Sequence, residues 1–91
     1  MKIRWLEAAA EDVNQLHAFI ERDKPAPADE EVSRVLDAVG RLGEHTALGG
    51  PGRVAGTREL VVSSYIVAYR VKGVFAQVLR VLHAARQWPV D

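Results

Sequence analysis

The sequence predicts an α+β fold: an N-terminal strand and an antiparallel helical hairpin packed on a small antiparallel β-sheet. Three observations predict it. Between Leu6 and Leu42, apolar residues recur at spacings of three and four, the stripe of amphipathic helices. From Thr57 to His83, they come instead in short runs rich in Val, Ile, Tyr and Phe, separated by turn residues. The chain has 91 residues, enough for one modest core, so a single domain over 1–91 is expected.

Each element has a local reason. "KIRWL", Lys2 to Leu6, sets Ile3 and Trp5 between charged neighbours, as a short edge strand does. From Glu7 the period changes, and Leu6, Ala9, Val13, Leu16 and Ile20 mark one helical face. Glu7, Glu11 and Asp12 lie in the first turns, where the helix dipole favours negative charge. "DKPAP" should end this helix, because Pro25 and Pro27 cannot continue it. A second helix is expected from "DEEVSRVLDAVGRL", with Asp29 as N-cap and Val32, Val35, Leu36, Val39 and Leu42 as its stripe. Gly43 is a natural stop, followed by the loose "EHTALGGPGRVAG". Three consecutive strands then form a meander: Thr57 to Val62, Tyr65 to Lys72 and Phe75 to His83. "SS" and "KGV" are the breaks, and Gly73 can take the positive φ of a tight turn.

A hairpin turning at Gly73-Val74 would set Arg70 opposite Gln77, Ala68 opposite Leu79 and Ile66 opposite Val81. The other face would carry Tyr65, Val67, Tyr69, Val71, Val78, Arg80 and Leu82. Both faces are then largely apolar, yet one helical hairpin covers one face. A partner segment or a second copy is expected over the remainder.

Composition excludes several functions. Hydrophobic residues are 48% of the chain and charged residues 26%, which marks a globular protein. There is no cysteine, hence no disulfide framework, zinc–thiolate site or thiol nucleophile. No run has the length of a membrane span, and no export signal is read at the start, so a cytoplasmic protein is expected. Residues 1–45 hold ten acidic and six basic side chains, and residues 46–91 hold two and six. A mildly basic face on the second half follows. "GGPGRVAG" lacks the spacing of a phosphate-binding loop, and no histidine or carboxylate group has metal-ligand spacing. No cofactor and no metal are expected.

The order strand, helical hairpin, glycine-rich loop and meander carries a resemblance. "GGPGRVAGTRELVV", "YIVAYRV" and "VLRVLHAARQWP" resemble the ParE/RelE superfamily of type II toxins, and its ParE branch of plasmid stabilization proteins in particular. "KIRWLEAAAEDVNQLHAFIERDKP" looks like that family's opening, so the resemblance runs from Lys2 to Pro89. It implies the α+β fold above and a toxin neutralised by a cognate ParD-type antitoxin in a hetero-oligomer. It also implies DNA gyrase as target for ParE-like members, and ribosome-dependent mRNA cleavage for RelE-like ones. A third possibility is a non-toxic relative that still binds antitoxin. One fold carries all of these, so the residues must decide.

Metal-free RNA cleavage needs a base, an acid and cations on the phosphate. His83, with Arg58, Arg80 and Arg86, is the set available for it. That set is thin: Lys72 is the sole lysine of the second half, and Trp88 stands where a titratable tyrosine would serve. "VLHAARQWP" resembles the ParE-type ending, for which no catalytic residues are expected. The preferred expectation is therefore a non-enzymatic toxin that needs no direct sequence-specific contact with nucleic acid. Its partner-binding residues would be Arg53, Arg58, Arg70, Arg80, His83, Arg86 and Trp88, since arginines and aromatics anchor interfaces. For Arg80, an ion pair with Glu59 is weighed equally with ligand binding. Trp5 is assigned to the core and His17 to a structural role.

Overall fold

The computed structural model describes residues 1–23 and 25–84, with side chains for all of these except 19–23 and 25–28. Strand β1 (Lys2–Trp5) is followed by helices α1 (Glu7–Asp23) and α2 (Pro25–Leu42), and then by β2 (Gly50–Pro51), β3 (Arg58–Val62), β4 (Tyr65–Lys72) and β5 (Phe75–His83). The sheet order is β1-β5-β4-β3-β2. The meander β3-β4-β5 is antiparallel, and β1 lies at the edge, parallel to β5. This is the α+β arrangement expected, with both outer strands short.

Helix α2 begins at Pro25, ahead of the expected start at Asp29. Proline is compatible with a first helical turn, whose N–H groups have no partner within the helix. Asp29 is thus inside the helix and is not its N-cap. Its Oδ1 lies 2.9 Å from His17 Nε2 on α1, a link between the two helices. The α2 stripe also differs in one place: Leu36 is 47% exposed, and Ala38 is buried in its stead. Strand β2 is a further difference. Its two residues come from the segment read as loop and pair with Arg58 and Glu59 of β3.

The helices cover one face of the sheet. Ala9, Val35, Val39 and Leu42 meet Val67, Tyr69, Val78 and Val81, with Ile3, Trp5, Val13, Leu60 and Val62 packed around them. Gly73 has the positive φ its turn requires, as expected.

The β4–β5 register departs from the even alternation. Arg70 does face Gln77, but Tyr69 faces Val78 and Ala68 faces Arg80, so Leu79 is an extra residue in β5. Such a β-bulge reverses the alternation of everything after it. Ile66 therefore faces Leu82, not Val81, and Arg80 and Leu82 leave the face of Val78 while Val81 joins it. Burial bears on the question of the second face. Ile66, Ala68 and Leu82 are already buried within this chain, which removes the reason to expect a partner over them.

The bulge is held from the helix side by Asp12. Its Oδ2 accepts from Arg80 Nε at 2.7 Å and from the Val81 N–H at 2.9 Å, and its Oδ1 accepts from Arg80 Nη2 at 2.9 Å. The expected Arg80–Glu59 pair does not form. Arg80 pairs with Asp12 of α1 instead, and Glu59 is taken by Arg53. A buried carboxylate is tolerated only when paired and hydrogen-bonded, and Asp12 is both. Asp12→Ala should cost about 3 kcal/mol, because it strands Arg80 and the Val81 N–H together. Adding Arg80→Met should restore part of the loss. Urea midpoints of the single and double variants test this; a double variant less stable than the single one would contradict it.

Candidate functional site

The arginines named from sequence now have defined surroundings. Arg53 follows β2 and is bidentate to Glu59: Nε donates to Oε2 and Nη2 to Oε1, both at 3.1 Å, and its backbone N–H donates to Oε2 at 2.9 Å. Arg80 is committed to Asp12. Its guanidinium is held even more firmly protonated than usual. The hydrogen bond to Asp12 is the main cause, opposed by burial and aided by the aspartate charge. Arg70 Nε donates to Gln77 Oε1 at 2.7 Å, a neutral partner across the hairpin. Arg58 is different again. Its Nε and Nη2 donate to the Gly49 carbonyl at 3.0 and 2.6 Å, and Nη2 also reaches the Ala47 carbonyl at 3.5 Å.

A side chain not singled out from sequence organises that end of the sheet. Tyr69 is fully buried on β4, and its hydroxyl donates to the Thr46 carbonyl at 2.7 Å and accepts the Gly49 N–H at 2.9 Å. A buried phenol needs such a partner, and the loop after α2 supplies it. The only sequence signal was a tyrosine alternating with core residues. Gly49 fits because it lacks a side chain: a Cβ there would lie 2.7 Å from the Glu59 carbonyl oxygen and 2.8 Å from the Tyr69 ring.

At the other end of the sheet, His83 packs edge-on against Tyr65, with ring centroids 5.5 Å apart. The Tyr65 phenol is pushed above its ordinary value near 10, mainly by burial and secondarily by the Glu31 charge. Glu31 Oε1 accepts from Arg34 Nη1 at 3.0 Å and from Ser63 Oγ at 3.4 Å.

These placements divide the set considered for RNA cleavage. Arg58 pairs with Tyr69 in register, whereas His83 pairs with Tyr65, level with Val62. The two levels are four residue steps apart along β3, about 13 Å of strand. Arg80 lies between them with its guanidinium turned to Asp12. Arg86 and Trp88 lie outside the described residues. Among the described residues, no three histidine or carboxylate side chains gather as a metal site. No helix there is long and apolar enough to cross a membrane.

Comparison with known proteins decides the family. The model of the ParE toxin of type II toxin–antitoxin systems, parDE, matches residues 3–88. This chain belongs to the ParE toxin family. A curated relative from Sinorhizobium fredii, named "Putative toxin Y4kP", is 41% identical over 90 residues, covering 97% of this chain and 93% of the relative. Among solved structures, a chain of the chromosomal ParDE toxin–antitoxin system from P. aeruginosa superposes with a TM-score of 0.83 at 26% identity. That match covers 91% of the present chain and 95% of the other. A chain of the RelBE2 toxin–antitoxin complex from Mycobacterium tuberculosis superposes with a TM-score of 0.66 at 24% identity, covering 90% and 95%. The second likeness is one of fold. The protein is thus a ParE-family toxin of the type II class, with the two-helix, five-stranded fold that ParE and RelE structures share.

Two predictions follow for this ParE-family chain. Gly49→Ala should destabilise it by about 1–3 kcal/mol, since neither the β3 backbone nor the Tyr69 ring can yield. Gly50→Ala, where a Cβ meets nothing within 4 Å, should be near neutral by the same denaturation measurement. The raised Tyr65 value means that the folded state holds the phenolic proton more tightly than the unfolded state does. That contribution is present below pH 10 and is lost as pH rises through the folded-state value. Tyr65→Phe should therefore lose less stability than wild type between pH 9 and pH 11. Parallel pH curves for the two proteins would contradict the assignment.

Proposed function

We propose that this chain is the toxin of a two-gene system that inhibits DNA gyrase by binding it, and that a ParD-type antitoxin holds it inactive in a cytoplasmic hetero-oligomer. The observation carrying the reading is the ParE family match over residues 3–88. The solved ParDE relative, from a system named for both components, supports an antitoxin partner. The internal chemistry agrees with a binding protein. Arg80 is occupied by Asp12 and Arg53 by Glu59. His83 and Arg58 stand at opposite ends of the sheet. General acid–base cleavage of RNA would need such groups within hydrogen-bond reach of one phosphodiester.

The test is a supercoiling assay with purified gyrase and antitoxin-free toxin. The expected outcome is inhibition, with cleaved DNA accumulating as toxin is added. Ribosome-dependent mRNA cleavage that vanishes in His83→Ala, with gyrase unaffected, would replace this reading with the RelE-type one. Expression without antitoxin that leaves growth unchanged would identify a non-toxic relative.

A further inference from the structure

Among the described residues, the arginines that touch acidic groups are neutralised within the chain: Arg34 by Glu31, Arg53 by Glu59 and Arg80 by Asp12. Arg58 is half-buried and makes no ion pair among these residues; its bonds go to neutral carbonyls. A partly desolvated cation without a counter-ion is an unfavourable arrangement that an arriving anion would relieve. Arg58 also lines a cleft of about 470 Å³, open to solvent, together with Thr46, Ala47, Pro51, Thr57 and Val71.

The guanidinium is already oriented. Nε and Nη2 are turned to the loop, which leaves Nη1 without a partner among the described residues. The loop that holds Arg58 is itself fixed by the Tyr69 hydroxyl. A ligand therefore meets a donor whose ordering cost has been met during folding. The remaining walls are uncharged, Ala47, Pro51 and Val71 beside Thr46 and Thr57, with Val71 exposed at 44%.

We propose that this cleft is a carboxylate-binding notch that takes one Asp or Glu side chain of the antitoxin, with an aliphatic neighbour lying on Val71 and Pro51. The assignment rests on the toxin reading for the identity of the partner, and on geometry alone for the chemistry of the notch. Carboxylate suits it better than nucleic acid. A nucleic-acid groove tracks successive phosphates with several cations and stacks bases on aromatic rings. Arg58 is the sole cation in the lining, and no aromatic ring joins it.

Two measurements test the notch. The first follows the arginine side-chain NMR signals while N-acetylglutamate is titrated into the toxin. Arg58 should shift saturably while Arg53 and Arg80 stay in place. A stationary Arg58, or three arginines shifting alike, would overturn the proposal. So would a single-stranded RNA oligonucleotide that moves Arg58 at far lower concentration. The second places a carboxylate in the notch from within. Val71→Glu should weaken antitoxin binding by roughly tenfold to a hundredfold, the worth of one charge-assisted bond, while Val71→Gln stays near wild type. Equal effects of the two variants would reject the notch as the antitoxin's contact. If wild type bound no antitoxin at all, the toxin reading would fail, and the N-acetylglutamate titration would still decide the notch.

Discussion

The Asp12 carboxylate is the point on which the rest of the structure hangs. Strand β1 accompanies β5 only as far as the pair Trp5–Val78, and the chain then turns away into α1. Beyond that pair, β5 has lost its parallel neighbour while still carrying the residues that close the core. Asp12 returns from the helix and supplies an acceptor to the Val81 N–H, and in the same step pairs with Arg80. A carboxylate so placed ties helix to sheet across 68 residues of sequence. It also holds the bulge at Leu79, which turns Val81 into the core and Leu82 to the opposite face.

That single arrangement changes the meaning of the second half's basic charge. Six basic side chains against two acidic ones suggest a basic face. The folded chain neutralises part of that charge internally. Arg80 reaches back to the acidic first half, and Arg53 closes on Glu59. Arg58 and Arg70 bond neutral groups instead, so the basic charge that is left is spread over separate positions of the sheet.

The two ends of the sheet are built on different principles. At the His83 end, Tyr65, Glu31, Arg34 and Ser63 gather around the β3–β4 turn, where Ser63 takes a positive φ. At the Arg58 end, one buried tyrosine hydroxyl and one arginine fork fix a loop of small residues by their backbone groups. The two ends differ in their tie to the core: Tyr69 belongs to the central cluster with Val67, Val78 and Leu42, whereas Tyr65 and His83 lie outside it.

Much of this was legible in the chain. Runs rich in Val, Ile, Tyr and Phe between turn residues located β3, β4 and β5 to within a residue, and the three- and four-residue spacings located both helices, because burial of one helical face imposes that period. Gly73 announced its turn through the positive φ it alone tolerates freely. Other features had no local signal. Strand β2 is two residues of Gly-Pro whose pairing is set by β3. The start of α2 at Pro25 depended on what packed against it, since proline both ends one helix and opens another. The bulge at Leu79 depends on Asp12, so the partner of Arg80 and the faces of Val81 and Leu82 could not follow from alternation. The separation of Arg58 from His83 likewise follows from strand pairing. The sequence by itself determined where the two helices and the three long strands lie, because those choices rest on local pattern. The tertiary structure alone decided which charges meet, because each ion pair joins residues that only the fold brings within reach.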